Sequence, residues 1–204
     1  MFETPASWSE VLTSQVDGSS VPKVWMIKSG KETLRTIDLI KEVLPEKLKN
    51  IRVSSTGKPY ILGADESHFS VSNQQGMALF ATSIDGPVGV DLERYDSRRL
   101  PKRIIEYKCT PFEKEWLLKQ CFGSEIAAFL ELWVAKEAVS KSLDFDMKWS
   151  DIEIDSNSIR ELQVSRLPKE IGEGTEVTLR RLELPEGWVG YVANVIYVGA
   201  VNSS

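Results

Sequence analysis

The chain is poor in the residues on which most side-chain catalysis rests. Its 204 residues include one histidine, His68, and two cysteines, Cys109 and Cys121. A single histidine confines any His–carboxylate mechanism to that one position. The cysteines lie twelve positions apart with no CxxC and no histidine companion, so thiolate metal binding is excluded and reduced core thiols are expected. No apolar run approaches the roughly 20 residues of a membrane span. The longest, Trp188 to Val201, is interrupted by Asn194. The opening MFETPASWSEVL lacks a basic start and apolar run, so a cytoplasmic location and no membrane partner are expected. A basic surplus is missing too. The net charge of −5 argues against a general nucleic-acid binder.

What is present suits a folded core. Hydrophobic residues make up 42% of the chain, and six Trp, seven Phe and five Tyr supply large apolar anchors. A chain of this length buries roughly 70% of its extended surface without staples. Residues 1–22 are Ser- and Pro-rich and read as a loose start. From Glu32 to Leu48, apolar Leu34, Ile37, Ile40, Val43 and Leu44 recur at helical spacing. A short strand, IRV, precedes STGKPYIL, whose Gly-Lys-Pro reads as a turn.

Residues 69–93 read as three strands in a meander. Phe69 and Val71 alternate with Ser70 and Ser72, MALFATS returns, and VGVDLE runs forward again. In VGVDLE, Val88, Val90 and Leu92 share one face and Gly89, Asp91 and Glu93 the other. A hydrogen-bonded meander would hold Ser72/Asn73 and Asp91/Glu93 about 10 Å apart, two strand spacings. Thr110-Pro111-Phe112-Glu113 then matches a capping box with proline at the first helical position, turning Trp116 and Leu117 inward. Gly123 breaks that helix, and Ser124 caps a second one running to about Ser142. TEVTLRRLEL and WVGYVANVIYV, joined by PEG, read as a β-hairpin. The class is α+β, divided into an N-terminal half, 1–94, and a C-terminal half, 95–204.

The second helix holds an anomaly. Ile126, Leu130 and Trp133 fall within about 40° of Glu137, placing a carboxylate on an apolar stripe, with Lys141 one turn further. On its own the pair reads as an i,i+4 ion pair at the stripe's edge. The sharper alternative is a metal ligand beside a phosphate-binding lysine. Asp91 and Glu93, at i,i+2 on one strand face, are a solvated polar face in one reading. In the other they repel each other unless a cation lies between them, and hard oxygen donors suit Mg²⁺ shared with phosphates. Three acids and a lysine, with no usable histidine or cysteine, point to metal-assisted phosphoryl transfer.

Taken together, GKPYI at 57–61, HFSVSNQQG at 68–76, VGVDLE at 88–93, CTPFEKEWL at 109–117 and LWVAKEAVSK at 132–141 resemble the 4′-phosphopantetheinyl transferases. The order and the pairing of G-x-D-x-E with W-x-x-K-E-x-x-x-K match the larger single-chain type typified by the surfactin-synthetase activator. GWVGYVANV is similar to the family's closing strand.

The resemblance implies two similar α+β halves related by a pseudo-twofold, with coenzyme A in the cleft between them and the protein acting as a monomer. It implies Mg²⁺ on Asp91, Glu93 and Glu137, with the serine hydroxyl of an apo acyl or peptidyl carrier protein attacking the β-phosphate. Adenosine 3′,5′-bisphosphate leaves and the pantetheine arm stays on the serine. Glu137 would be the base, and Lys141 would neutralise or protonate the departing phosphate. Lys58, Pro59, Ser72, Asn73, Lys136 and Arg35 match coenzyme-contacting positions. The family usually carries histidine where this chain has Asn73, which can donate a hydrogen bond but cannot become cationic. The Gly-x-Gly-Leu that often follows the catalytic helix is replaced by LDFDMKW. Basic Arg98, Arg99, Lys102 and Arg103 would meet an acidic carrier surface, or simply be solvated. The alternative function is a non-catalytic homologue that binds coenzyme A or a carrier protein.

Overall fold

Seven consecutive residues, Met77–Ser83, are all buried, and that run organises the molecule. A strand buried on both faces needs an apolar layer on each side. The computed structural model describes residues 8–11, 22–29, 35–63, 68–95, 102–120, 124–145 and 148–197. The chain is α+β, as the element order led us to expect. In chain order the strands are β1 (Ser9–Val11), β2 (Lys23–Lys28), β3 (Ile51–Val53), β4 (Pro59–Ile61), β5 (His68–Gln74), β6 (Met77–Ser83) and β7 (Val88–Arg94), then β8 (Glu153–Ser158), β9 (Glu161–Arg166), β10 (Thr175–Arg181) and β11 (Trp188–Tyr197). The helices are α1 (Thr36–Val43), α2 (Lys102–Lys108), α3 (Pro111–Leu118) and α4 (Glu125–Leu143).

The first sheet has the order β1-β2-β6-β5 and the second β10-β11-β7. One face of β6, through Ala78 and Phe80, packs with Trp8, Trp25, Leu39, Ile40 and Phe69. Its other face, Met77, Leu79 and Ala81, packs with Val88, Val90, Leu92 and Val192. This corrects the expected meander. The apolar face of β7 is stacked on β6 and does not extend the same ladder. Burying Val88, Val90 and Leu92 against Leu79 demands face-to-face packing, and β7 takes its backbone partners from β11 instead, with Asp91 opposite Tyr191.

The other edge of β7 is closed by side chains. Ser70 Oγ accepts from the Val90 N–H at 3.1 Å and Gln74 Oε1 from the Arg94 N–H at 2.6 Å. Lys58 Nζ donates to the Val88 carbonyl at 3.0 Å. The even-numbered side chains of β5 thus do the work of a neighbouring strand and join the two sheets.

α4 crosses the opposite face of β7. Ala128, Leu132, Ala135, Ala138 and Val139 are its core contacts, small enough to let helix and sheet approach closely. Ile126, Leu130 and Trp133 are only half-buried, Leu130 and Trp133 packing against the edge of the core while Trp133 and Glu137 line the cleft. Glu131, buried on the same helix, receives a bidentate pair from Arg181 (2.8 to 3.1 Å) and the Tyr191 hydroxyl at 2.8 Å. That triad pins α4 to β10 and β11, and burial next to Glu131 pushes the Tyr191 phenol well above its usual range.

The capping box forms as expected: Thr110 Oγ1 accepts from the Glu113 N–H, and the Glu113 carboxylate accepts from the Thr110 N–H at 2.7 Å. Ser124 precedes α4 but makes no side-chain cap bond. The β10–β11 hairpin is present, while β1, β2 and the β8–β9 hairpin add to the expected elements. Cys121 and residues 96–101 of the basic stretch lie outside the described residues. Among the described residues no helix is long and apolar enough to cross a membrane.

Candidate active site

Two strands and a helix meet over the seam between the sheets, and the cleft there has a volume of about 510 Å³. β7 supplies Asp91 and Glu93, α4 supplies Glu137 and Lys141, β5 supplies Ser72 and Asn73, the β3–β4 turn supplies Lys58 and the start of β4 supplies Pro59. Gly89 explains how α4 comes so near. A Cβ at that position would stand 2.0 Å from the Ala138 carbonyl oxygen and 2.4 Å from the Ser142 nitrogen. Glycine in the first position of G-x-D-x-E therefore permits helix–strand contact at backbone distance. Two residues further along β7, Lys141 Nζ meets Asp91 Oδ1 at 2.6 Å.

Asp91 is buried, and its Oδ1 also accepts from Ser72 Oγ at 2.7 Å. The meander would have separated these two residues by two strand spacings; stacking puts them in direct contact. Glu93 is half-buried and accepts a hydrogen bond from Gln74 Nε2. Burial raises the Glu93 carboxyl, the Gln74 contact opposes the shift, and Asp91 adds to it. Burial raises the Glu137 carboxyl as well, with Asp91 and Glu93 adding to it and Lys141 and Lys108 opposing it. Among the described residues no hydrogen-bond donor meets the Glu137 carboxylate, so it is free to take a proton or a ligand.

Lys58 sits on the opposite wall. Burial pushes its ammonium down to about 8, with Asp144 opposing the shift and Lys141 reinforcing it. Asn73 Nδ2 donates to Thr36 Oγ1 at 3.1 Å, so the first residue of α1 orients this amide. His68, half-buried at the far end of β5, is lowered by burial and by Lys58.

Two expected residues are not brought to the cleft. Lys136 is buried at 1% exposure, and its three donors are taken by Glu113 at 2.6 Å and the Lys108 and Trp149 carbonyls at 3.0 Å each. Glu113 in turn accepts from the Ile154 N–H, so this ion pair ties α2, α3, α4 and β8 together. With every donor committed inside the protein, Lys136 does not line the cleft. Arg35 precedes α1, exposed, with its guanidinium held by Asp38 at 2.7 and 3.1 Å. Conversely, Gln74, Thr36 and Asp144 serve the site without having been expected there. The polar alternation Ser70, Ser72, Gln74 on β5 was the available signal for the first.

Comparison with known proteins matches the chain to a family. The 4'-phosphopantetheinyl transferase superfamily model matches residues 87–192, which include β7 and α4. The chain is 29% identical over 137 residues to 4'-phosphopantetheinyl transferase gsp of Aneurinibacillus migulanus, covering 67% of this chain and 54% of that one. It therefore spans about half the length of that relative. Among solved structures it is similar to the holo-ACP-synthase from Plasmodium yoelii, with TM-score 0.41, 20% identity, and coverage of 54% of this chain and 94% of that one. It is also similar to the holo-[acyl-carrier-protein] synthase of Thermotoga maritima, with TM-score 0.37, 21% identity, and coverage of 54% and 62%.

Proposed function

We propose, from the premise that this chain belongs to the 4′-phosphopantetheinyl transferase superfamily, that it moves the phosphopantetheine arm of coenzyme A onto a serine of an apo carrier protein. The observation that carries the proposal is the convergence of Asp91, Glu93, Glu137, Lys141 and Lys58 on one cleft. All of them come from one chain, which fits a monomeric enzyme.

The donor set suits a hard divalent cation. Glu93 and Glu137 are both raised by burial and by neighbouring carboxylates, a repulsion that a cation between them relieves. Among the described residues no three His, Cys, Asp or Glu side chains are brought together closely enough to hold a metal ion as they stand, and Lys141 holds one oxygen of Asp91. Asp91, Glu93 and Glu137 would hold Mg²⁺, which when bound supplies charge neutralisation to the coenzyme A diphosphate.

The chain's own residues account for the rest. Glu137 accepts the proton of the carrier serine hydroxyl, for which its carboxylate lies on the cleft wall beside Lys141. The serine oxygen forms a bond to the β-phosphorus as the bond to the bridging oxygen breaks. Adenosine 3′,5′-bisphosphate carries the electron pair away. Lys141 stabilises the charge that develops on that oxygen. Lys58 binds phosphate from the opposite wall, and Asn73 contributes a neutral donor.

The test is whether adenosine 3′,5′-bisphosphate is released only when an apo carrier is present. Release with water alone would make the protein a hydrolase. Coenzyme A binding without release on any carrier would make it a non-catalytic homologue.

Lys58 also sets a pH dependence. Its ammonium is lowered to about 8, so the cationic form that attracts phosphate is lost as pH rises above that value. Bound phosphate favours the cation and moves the midpoint upward. Calorimetric affinity for coenzyme A is expected to fall by about tenfold between pH 7 and pH 10, in proportion to one lost ion pair. Equal affinity at both would remove Lys58 from the binding set.

A further inference from the structure

The C-terminal end of α4 carries a residue in an unusual conformation. Asp144 caps the helix at φ 48°, ψ 41°, the left-handed region that helix ends normally reserve for glycine. Its backbone N–H still bonds the Ser140 carbonyl at 3.1 Å, and its carboxylate reaches across to the β3–β4 turn. Asp144 Oδ1 accepts from Ser54 Oγ at 2.8 Å and from Thr56 Oγ1. The same Ser54 oxygen accepts from the backbone N–H of Lys58 at 3.1 Å. The turn is closed by the Ser54 N–H to the Lys58 carbonyl at 2.8 Å and by Gly57 at φ 91°.

A chain of hydrogen bonds therefore runs from the cap of the helix that carries Glu137 and Lys141 to the main chain of Lys58 on the facing wall. Glycine at 144 would satisfy the backbone and supply none of this, so the aspartate has a use beyond ending the helix.

We propose that Asp144 is a positioning residue which clamps the Ser54–Gly57 turn against α4 and so fixes Lys58 at the phosphate-binding wall. The inference rests on the proposed coenzyme A transfer and adds a positioning role to it. The charged groups facing Lys58 are Asp144 and Lys141 from the end of α4 and His68 from β5. Of these only Asp144 is anionic, so it both places the ammonium and supports its charge.

Two variants separate placement from helix capping. Asp144→Gly keeps the left-handed backbone and deletes the clamp. Its KM and calorimetric Kd for coenzyme A are expected to rise about tenfold, the scale of hydrogen bonds to a charged group, with kcat within about twofold. Asp144→Asn keeps an acceptor oxygen for Ser54 and Thr56 and removes the charge. It is expected to hold Kd within about threefold of wild type, the cost of weaker neutral bonds. In both variants, acetic anhydride labelling of Lys58, followed by peptide mass across pH, is expected to show a midpoint lower than that of the wild-type protein. An unchanged Kd in Asp144→Gly overturns the proposal. So does a fall in kcat together with a rise in KM while the Lys58 profile is unmoved, because that pattern belongs to a helix cap alone. The Kd and labelling arms need no turnover. If the wild-type protein modifies no carrier, the transfer reading fails while the role of Asp144 is still decided.

Discussion

Replacing Glu137 by Gln lowers kcat by about a thousandfold, the middle of the range for loss of a general base, and leaves the fold intact. Glutamine has nearly the same volume, so Trp133 and Ser140 beside it in the cleft lining keep their packing. It can neither accept the serine proton nor offer an anionic ligand to a cation. Stability moves little and, if anything, upward. Burial and the charges of Asp91 and Glu93 all disfavour the ionised form of Glu137, so a neutral amide removes a repulsion. A destabilised, inactive variant would mean that Glu137 is structural. A stable variant with turnover within tenfold of wild type would remove it from the mechanism.

The second large effect lies away from the ionisable groups. Gly89→Ala adds one methyl group that meets Ala138 O at 2.0 Å, Ser142 N at 2.4 Å and Lys141 C at 2.9 Å, all backbone atoms of α4. No side-chain rotation relieves such a clash, so the helix must lift from β7 or the strand must bend. Overpacking of this kind costs about 3 kcal/mol, or about 10 °C in Tm for a chain of this size. Activity falls further than stability does, because lifting α4 breaks the 2.6 Å contact between Lys141 and Asp91. Gly172→Ala is the matched control. It meets nothing within 4 Å and is expected to be neutral in melting and turnover.

These two effects mark where the sequence was legible. Period places Asp91 and Glu93 on one strand face and Glu137 and Lys141 one helical turn apart, the resemblance singled them out from an ordinary ion pair and polar face, and the cleft holds all four together. The Thr110–Glu113 capping box and the β10–β11 hairpin were readable for the same reason, since each is decided by near neighbours. The relation of β7 to β6 was not. Alternation shows which side chains share a face, but not whether that face joins a ladder or stacks on another sheet. The unbroken apolar run Met77–Ala81 was the one local hint of stacking, and it shortens the Ser72–Asp91 separation to hydrogen-bond distance.

Lys136 misleads by adjacency. It precedes Glu137 in the chain, but 100° of helix rotation turns it toward α3, where Glu113 waits 23 residues upstream. Arg35 has its partner three residues on, in Asp38, so its diversion from the cleft could have been weighed at i,i+3 spacing. Asp144 was out of reach. Nothing in LDFDMKW shows that an aspartate there takes a left-handed conformation and grips a turn some 90 residues earlier.

The most direct test of the account is the intact mass of an apo carrier protein after incubation with this chain, coenzyme A and Mg²⁺. The expected result is a gain of one phosphopantetheine on the carrier serine, abolished by EDTA and by Glu137→Gln. An unmodified mass on carriers of fatty-acid, polyketide and peptide synthesis alike, with coenzyme A still bound, would contradict it.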